Sequence, residues 1–181
     1  MSYQAELSGW HDFFILAGTA SATLVGLLFV GLSLHLRIVV TTSEVRSLAR
    51  VTLANFGAVL FVALFMVIPQ GPSAAGLQLI GAGIVSMAVA GPSLVSAVRS
   101  GEWSFQMSAM QRVRVALRFG LSGVSYLAII VAGILLLSSV RAAFIVLLIA
   151  IVFLLVVSLR NTWDLLVTVA DVTQDNGDSE T

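Results

Sequence analysis

Apolar segments of about 20 residues, the length that a helix needs to cross a bilayer core, alternate with short polar links along the chain. The pattern predicts five membrane-spanning segments, over residues 13–36, 51–68, 74–98, 119–137 and 142–159. Hydrocarbon offers no partner to an unpaired backbone amide, so all five are predicted to be α-helical. The fold class is therefore all-α, a polytopic membrane protein. Because the link over residues 138–141 is very short, a re-entrant pair of the last two segments is the alternative.

The pattern divides the chain into one domain and a tail. Residues 1–170 are predicted to form the transmembrane helical domain, whereas residues 171–181 are polar, acidic and free of aromatic side chains. Such a composition buries too little apolar surface to fold, so we expect a disordered tail. Residues 100–118 mix aromatic side chains with arginines, which predicts a segment lying in the membrane interface. A plain linker is the alternative for these residues.

The placement of arginine predicts how the chain crosses the membrane. The chain has nine arginines and no lysine, and cationic residues accumulate on the cytoplasmic side of membrane proteins. In the predicted arrangement, Arg141 is the only arginine on its side of the membrane. The other eight share the opposite side: Arg37, Arg46, Arg50, Arg99, Arg112, Arg114, Arg118 and Arg160. We therefore expect the N-terminus outside the cell and the C-terminal tail in the cytoplasm.

The composition fits a chain whose main solvent is the lipid bilayer. Hydrophobic residues make up 59% of the chain and charged residues only 10%, too few to cover a soluble domain. The net charge is zero, so no nucleic-acid partner is indicated. Cysteine is absent, which excludes disulfides, thiolate nucleophiles and cysteine-bound metals.

The first predicted helix has two different sides when its residues are placed at about 100° each. One side is a stripe of mostly small residues with polar ends, which we call the small-residue stripe. Its members are His11, Ile15, Gly18, Ala22, Gly26, Phe29, Ser33 and Arg37, with Thr19 at its edge. The opposite side carries the bulky residues Phe13, Leu24, Leu27 and Leu28.

Two interpretations of the small-residue stripe remain open. Small residues let helix backbones approach closely, which is how helices associate where lipid supplies no hydrophobic driving force. Alternatively, copies of this helix around an axis form the wall of a pore, with hydroxyls facing water and rings of His11 and Arg37 at the two mouths. Arg37 also has a simpler interpretation, because an arginine at a cytoplasmic helix end reaches lipid phosphate and sets the orientation.

Asn55 in the second span and Gln78 in the third are the main amide side chains near or within the membrane. Amides are costly to expose to hydrocarbon, so both are expected to face protein and to hydrogen-bond across helices. Exposure to water is the alternative for Gln78, which lies near the outer end of its span. Ser122 and Tyr126 belong to a small polar patch of the fourth span, which is expected to pack against a neighbouring helix.

The chain carries no recognisable chemistry of catalysis. No carboxylate lies in the core of a predicted span, although proton-coupled carriers and cation-selective filters usually use one. Metal-ligand spacings, nucleophile motifs and glycine-rich phosphate loops are also absent from the sequence. We therefore expect a protein that is not an enzyme and that has no cofactor and no metal site.

The opening segment resembles a known family. Trp10-His11-Asp12-Phe13-Phe14, followed by Gly26-Leu27-Leu28-Phe29-Val30, is similar to the first helix of a family of small bacterial multipass membrane proteins, some of which carry the label "modulator of FtsH protease". The resemblance covers about a fifth of the chain. It implies a bacterial cytoplasmic (inner) membrane protein, and the label implies regulation of a membrane-anchored protease.

The leading functional hypothesis is a homo-oligomeric channel for small ions, lined by the first helix. A ring of Arg37 and the lack of intramembrane carboxylates would favour anions. The first alternative is a non-conducting accessory or regulatory subunit that binds another membrane protein, such as a protease. The second alternative is a small-molecule carrier with a polar cavity near Gly91-Pro92.

Overall fold

The structure, a computed structural model, describes residues 3–34, 40–41, 43–99, 109–138 and 142–178. This part of the chain is built from five long helices. They are α1 (Tyr3–Leu34), α2 (Ser43–Val67), α3 (Pro72–Arg99), α4 (Ala109–Leu137) and α5 (Ala142–Asp178). The prediction of an all-helical membrane protein with five spans is confirmed, because each helix contains a stretch long and apolar enough to cross a bilayer.

The spanning stretches differ from the predicted ones mainly at their ends. They run over Tyr3–Leu34, Val45–Val67, Pro72–Pro92, Gly120–Leu137 and Ala142–Val167. α1 begins ahead of the apolar segment because Leu7 and Trp10 pack against other helices. The apolar stretch of α4 has 18 residues, which corresponds to a length of about 27 Å, close to a bilayer core of about 30 Å. The apolar stretch of α5 has 26 residues, so both helices are long and apolar enough for full crossing.

Two segments outside the spans are the predicted disordered tail and the predicted interfacial segment. Residues 171–178 belong to α5, whereas their composition predicts a disordered tail. The helix continues because no proline occurs there and no glycine precedes Gly177, so nothing in the backbone ends it sooner. Residues 100–108 of the predicted interfacial segment lie outside the described residues, and residues 109–118 form the first turns of α4.

α2 is the central helix of the bundle. It contacts α1, α3 and α5, while α3 packs on α4 and α4 packs on α5. α2 to α5 thus form a closed ring of four helices, and α1 lies outside this ring against α2, with a smaller contact to α5. The interior is mainly apolar, with fully buried residues on each helix of the ring, such as Val62, Leu79, Ile129 and Leu154.

An aromatic cluster fastens the beginning of α1 to the beginning of α5. The Trp10 ring stacks on Phe144 at a centroid distance of 6.4 Å, and Tyr3 contacts the same ring at 6.1 Å. Phe13 meets Trp10 edge-on at 6.1 Å. Aromatic pairs of this kind add about 0.5–1.5 kcal/mol beyond the burial of their surface. α1 is therefore anchored to the ring at this end as well as along α2.

α3 and α4 approach so closely that their backbones nearly touch. A Cβ atom added at Gly133 would lie 2.7 Å from the carbonyl oxygen of Gly76 and 2.8 Å from Ile80 Cγ1. A Cβ at Gly76 would likewise lie 2.8 Å from the Gly133 oxygen. Small residues at a helix crossing allow this approach, which maximises van der Waals contact where lipid supplies no hydrophobic drive.

This contact predicts opposite effects for two matched substitutions in α4. Gly133→Ala should destabilise the fold by about 1–3 kcal/mol, because the added methyl group forces the two helices apart. Gly123→Ala should be neutral or stabilising, because its Cβ would meet nothing within 4 Å and alanine favours a helix. Thermal unfolding of both variants in detergent, followed by circular dichroism, measures the difference. Equal melting temperatures for the two variants would contradict the close contact.

Candidate functional site

One side of α1 packs inside the subunit. Its buried residues are Leu7, Phe14, Ala17, Ser21 and Leu28, whose spacing of three, four and seven positions places them on one face of a helix. The predicted bulky side contributes to this packing in part. Leu28 is buried and Leu24 packs beside it, whereas Leu27 is 64% exposed. The contact with the rest of the subunit is therefore made by a mixed face of α1 that includes Leu28 and the small residues Ala17 and Ser21.

The small-residue stripe lies beside this buried face and is mostly uncovered. His11 and Gly18 are half-buried, and the following members are exposed: Ile15, Thr19, Ala22, Gly26, Phe29 and Ser33. Gly18 marks the boundary with α2, because its Cβ would lie 3.1 Å from the Cβ of Ala63. A Cβ at Gly26 would meet nothing within 4 Å. Most of the stripe thus faces away from the described part of the subunit.

Two hydroxyl groups on the exposed surface of α1, those of Thr23 and Ser33, are satisfied by their own helix. Thr23 Oγ1 donates to the carbonyl oxygen of Thr19 at 2.9 Å, and Ser33 Oγ donates to that of Val30 at 2.8 Å. Such bonds let a hydroxyl lie against an apolar surface without the cost of an unmade hydrogen bond. This surface of α1 is therefore compatible with lipid or with another helix as well as with water.

The stripe has His11 at one end and Arg37 at the other. His11 Nδ1 lies 3.5 Å from Asp12 Oδ1, and Asp12 is fully exposed, so these side chains form a solvent-accessible pair near the start of α1. The interaction is ionic only when the imidazole is protonated. Arg37, predicted for the opposite mouth, lies outside the described residues.

Asn55 is the centre of a polar cluster buried within the bundle. Its Nδ2 donates to Ser122 Oγ at 3.0 Å, and the Tyr126 hydroxyl donates to its Oδ1 at 2.5 Å. All three residues are fully buried. Asn55 faces protein and bonds across helices, as its amide chemistry predicts, and its partners belong to the predicted polar patch of the fourth span. These bonds join α2 to α4 across the ring.

A neighbouring hydrogen bond ties α1 to the same level of α2. Ser21 is fully buried, and its Oγ donates to the carbonyl oxygen of Phe56 at 2.6 Å. Since Phe56 follows Asn55, three helices are linked by polar contacts within two consecutive residues of α2. Sequence reasoning missed Ser21, because a lone serine in an apolar helix has no distinctive pattern. Its position one turn after the buried Ala17 is the only signal.

Gln78 lies near the α2–α3 loop. It is half-buried, and its Oε1 accepts a hydrogen bond from Gln70 Nε2 at 2.6 Å. The same Gln70 nitrogen donates to the carbonyl oxygen of Phe65 at 2.7 Å. Gln4 Nε2 reaches the backbone oxygen of Gln70 at 3.4 Å, which places the start of α1 beside this loop. Gln78 thus bonds to the loop rather than to a neighbouring helix.

Among the described residues, no group of three or more histidine, aspartate or glutamate side chains lies close enough to hold a metal ion. Comparison of the chain with protein-family models, with curated proteins and with solved structures finds no match.

The candidate site is the exposed stripe of α1. Behind it, inside the bundle, the polar cluster around Asn55 joins α2 to α4.

The polar cluster predicts a ranking of stabilities. Asn55→Leu should destabilise the fold by about 1–3 kcal/mol, because it leaves the buried Tyr126 hydroxyl without a partner. Tyr126→Phe should cost less, because it removes one hydrogen bond and leaves only Asn55 Oδ1 unpaired, whereas Asn55→Leu removes both bonds of the amide. The double variant should be no less stable than Asn55→Leu, since the orphaned hydroxyl is then gone. Thermal unfolding in detergent, with Ser33→Ala as the control, tests this ranking; an unchanged Asn55→Leu melting temperature would refute it.

Proposed function

We propose that the protein is a homo-oligomeric channel for small ions, in which α1 of each copy lines the pathway. One observation carries this proposal. The small-residue stripe lies on the outermost helix and is exposed over most of its length, from Ile15 to Ser33. Small residues on an uncovered helix face suit close approach between copies, and symmetric closure around an axis is the usual form of such assemblies.

The mainly apolar interior of the ring supports a pathway between subunits rather than through one. Residues at successive levels of α5, such as Leu147, Ile151 and Leu154, are buried against the other helices, and the amide of Asn55 is occupied by its partners. An ion needs water or polar groups along its whole path. The surface of α1 has room for them in an oligomer, with small side chains at Ala22 and Gly26.

The charge pattern of the sequence supports a preference for anions. Arg37 follows Ser33 by four positions, so it continues the stripe at the end opposite His11. The cores of the spans contain no aspartate or glutamate that would attract cations. A ring of arginines at one mouth raises the local concentration of anions, as in other anion-selective pores.

Ion flux through reconstituted liposomes tests the channel, with the copy number determined on the same sample. The wild type should pass chloride more readily than potassium, and Arg37→Ala should lose most of that preference. Gly26→Phe should block flux, because the ring enters the pathway from a position with open space around its Cβ. Leu16→Phe, on another exposed side of α1, should conduct like the wild type. An oligomer of four or more copies that passes no ions would rule out the channel.

A non-conducting accessory subunit is the second candidate. The self-satisfied hydroxyls of Thr23 and Ser33 favour it, because a surface of this kind needs no water and can pack directly on the helix of another membrane protein. The resemblance of the first helix to proteins labelled as protease modulators points the same way. This candidate expects one or two copies in nanodiscs, no flux, and a partner helix bound along the same stripe.

A further inference from the structure

A groove between α2 and α3 opens sideways from the bundle, on a different surface from the small-residue stripe. It has a volume of about 360 Å³. Its lining includes Phe61, Phe65, Gln78, Gly81, Ala82 and Ser86. The two phenylalanine rings form one wall, with their centroids 6.3 Å apart. The groove exists because α3 presents small residues opposite these rings, and a Cβ at Gly81 would meet nothing within 4 Å.

The polar end of the groove offers hydrogen-bond donors. The Phe65 carbonyl can only accept, so Gln70 must direct its NH₂ group toward it, and that same nitrogen meets the oxygen of Gln78. The orientation of both amides is thereby fixed. The NH₂ group of Gln78 donates to no acceptor in the described part of the chain.

The depth of these donors matches that of the ester groups of a phospholipid. Gln78 lies six residues after Pro72, the first residue of α3, which corresponds to about 9 Å along the helix. Its side chain points back toward the loop, as helical side chains do, and the bond to Gln70 confirms this direction. The amide therefore lies near the edge of the hydrocarbon, where lipid esters are found. The apolar lining continues about 12 Å deeper, to Ser86.

We propose that this groove binds a diacyl phospholipid of the leaflet at the loop end, with an ester carbonyl accepting from Gln78 Nε2 and one acyl chain between the phenylalanine rings and Gly81. Recognition rests on the ester and not on the headgroup, because the described lining of the groove carries no charged side chain. A half-buried donor at the end of an apolar groove, once it finds its acceptor, distinguishes a bound lipid from the surrounding bilayer.

A second groove in the same protein serves as an internal control. It lies between α1 and α5, has a volume of about 190 Å³, and is lined mainly by leucines such as Leu24, Leu28 and Leu165. Its one hydroxyl, on Thr162, donates to the carbonyl oxygen of Ser158 at 2.8 Å. With that donor already used, this groove should accept lipid chains without regard to an ester.

Two photoreactive phosphatidylcholines that differ only in their linkage test the proposal. Both carry a diazirine in one 18-carbon chain, and one is ester-linked while the other is ether-linked, so only the first has the carbonyl. The full chain is reconstituted in ether-lipid liposomes with a trace of either probe, and labelled peptides are identified after irradiation. The ester probe should label Phe61–Phe65 and Gly81–Ser86 about two- to tenfold more than the ether probe, the ratio expected from one net hydrogen bond.

Three variants and one control separate the parts of the site. Gln78→Leu should lower ester labelling to the ether level, whereas Gln70→Ala should reduce the preference without abolishing it, because the Gln78 donors remain but their orientation is no longer fixed. Gly81→Phe should lower labelling by both probes, and Val131→Phe, on an exposed side of α4, should change neither. Circular dichroism confirms folding of each variant. Equal labelling by the two probes in the wild type, or an ester preference that survives Gln78→Leu, would overturn the proposal, and the wild-type comparison needs no substitution.

Discussion

In the hydrocarbon of a bilayer, no hydrophobic effect drives two apolar helices together, and a polar group finds no hydrogen-bond partner. The packing of this chain follows from these two constraints. Backbones therefore approach at glycines, as Gly76 and Gly133 do between α3 and α4. Polar side chains are turned inward and paired, as Asn55 is with Ser122 and Tyr126. α2 carries most of these contacts, since it also receives the hydrogen bond from Ser21 of α1. The position of α1 is thus fixed by a few specific contacts to the central helix.

The same two constraints apply to the side of α1 that faces outward. Ala22 and Gly26 are exposed on this side and gain little from lipid, while the subunit uses the neighbouring buried face for its own packing. A helix anchored at one end by aromatic rings and along its length by α2 holds that surface in a fixed orientation. Association between copies would bury the small residues and give them the close contacts that lipid chains do not provide. This exposed side of α1 is the basis of the proposed assembly.

Much of this arrangement could be predicted from the sequence, because hydrophobic length alone identifies membrane helices. The five spans and the inward direction of Asn55 follow from the cost of exposing polar groups to lipid. Which face of α1 packs inside the subunit could not be predicted, since both its leucines and its glycines are suited to helix contacts, and only the shape of α2 decides between them. The hydrogen bond between Gln78 and Gln70 could not be predicted either, because it depends on how the short loop between α2 and α3 folds back. The helical residues 171–178 show that a helix already formed can extend through a polar sequence.

The most direct test of the account is whether copies meet along the small-residue stripe in a membrane. The chain has no cysteine, so a single introduced thiol reports on its own position. Ala22→Cys lies on the stripe, and Leu16→Cys lies on another exposed side of α1, about 120° away at 100° per residue. After mild oxidation in liposomes, the account predicts disulfide-linked dimers for Ala22→Cys and few for Leu16→Cys. Crosslinking of neither variant, or of both to the same extent, would contradict it.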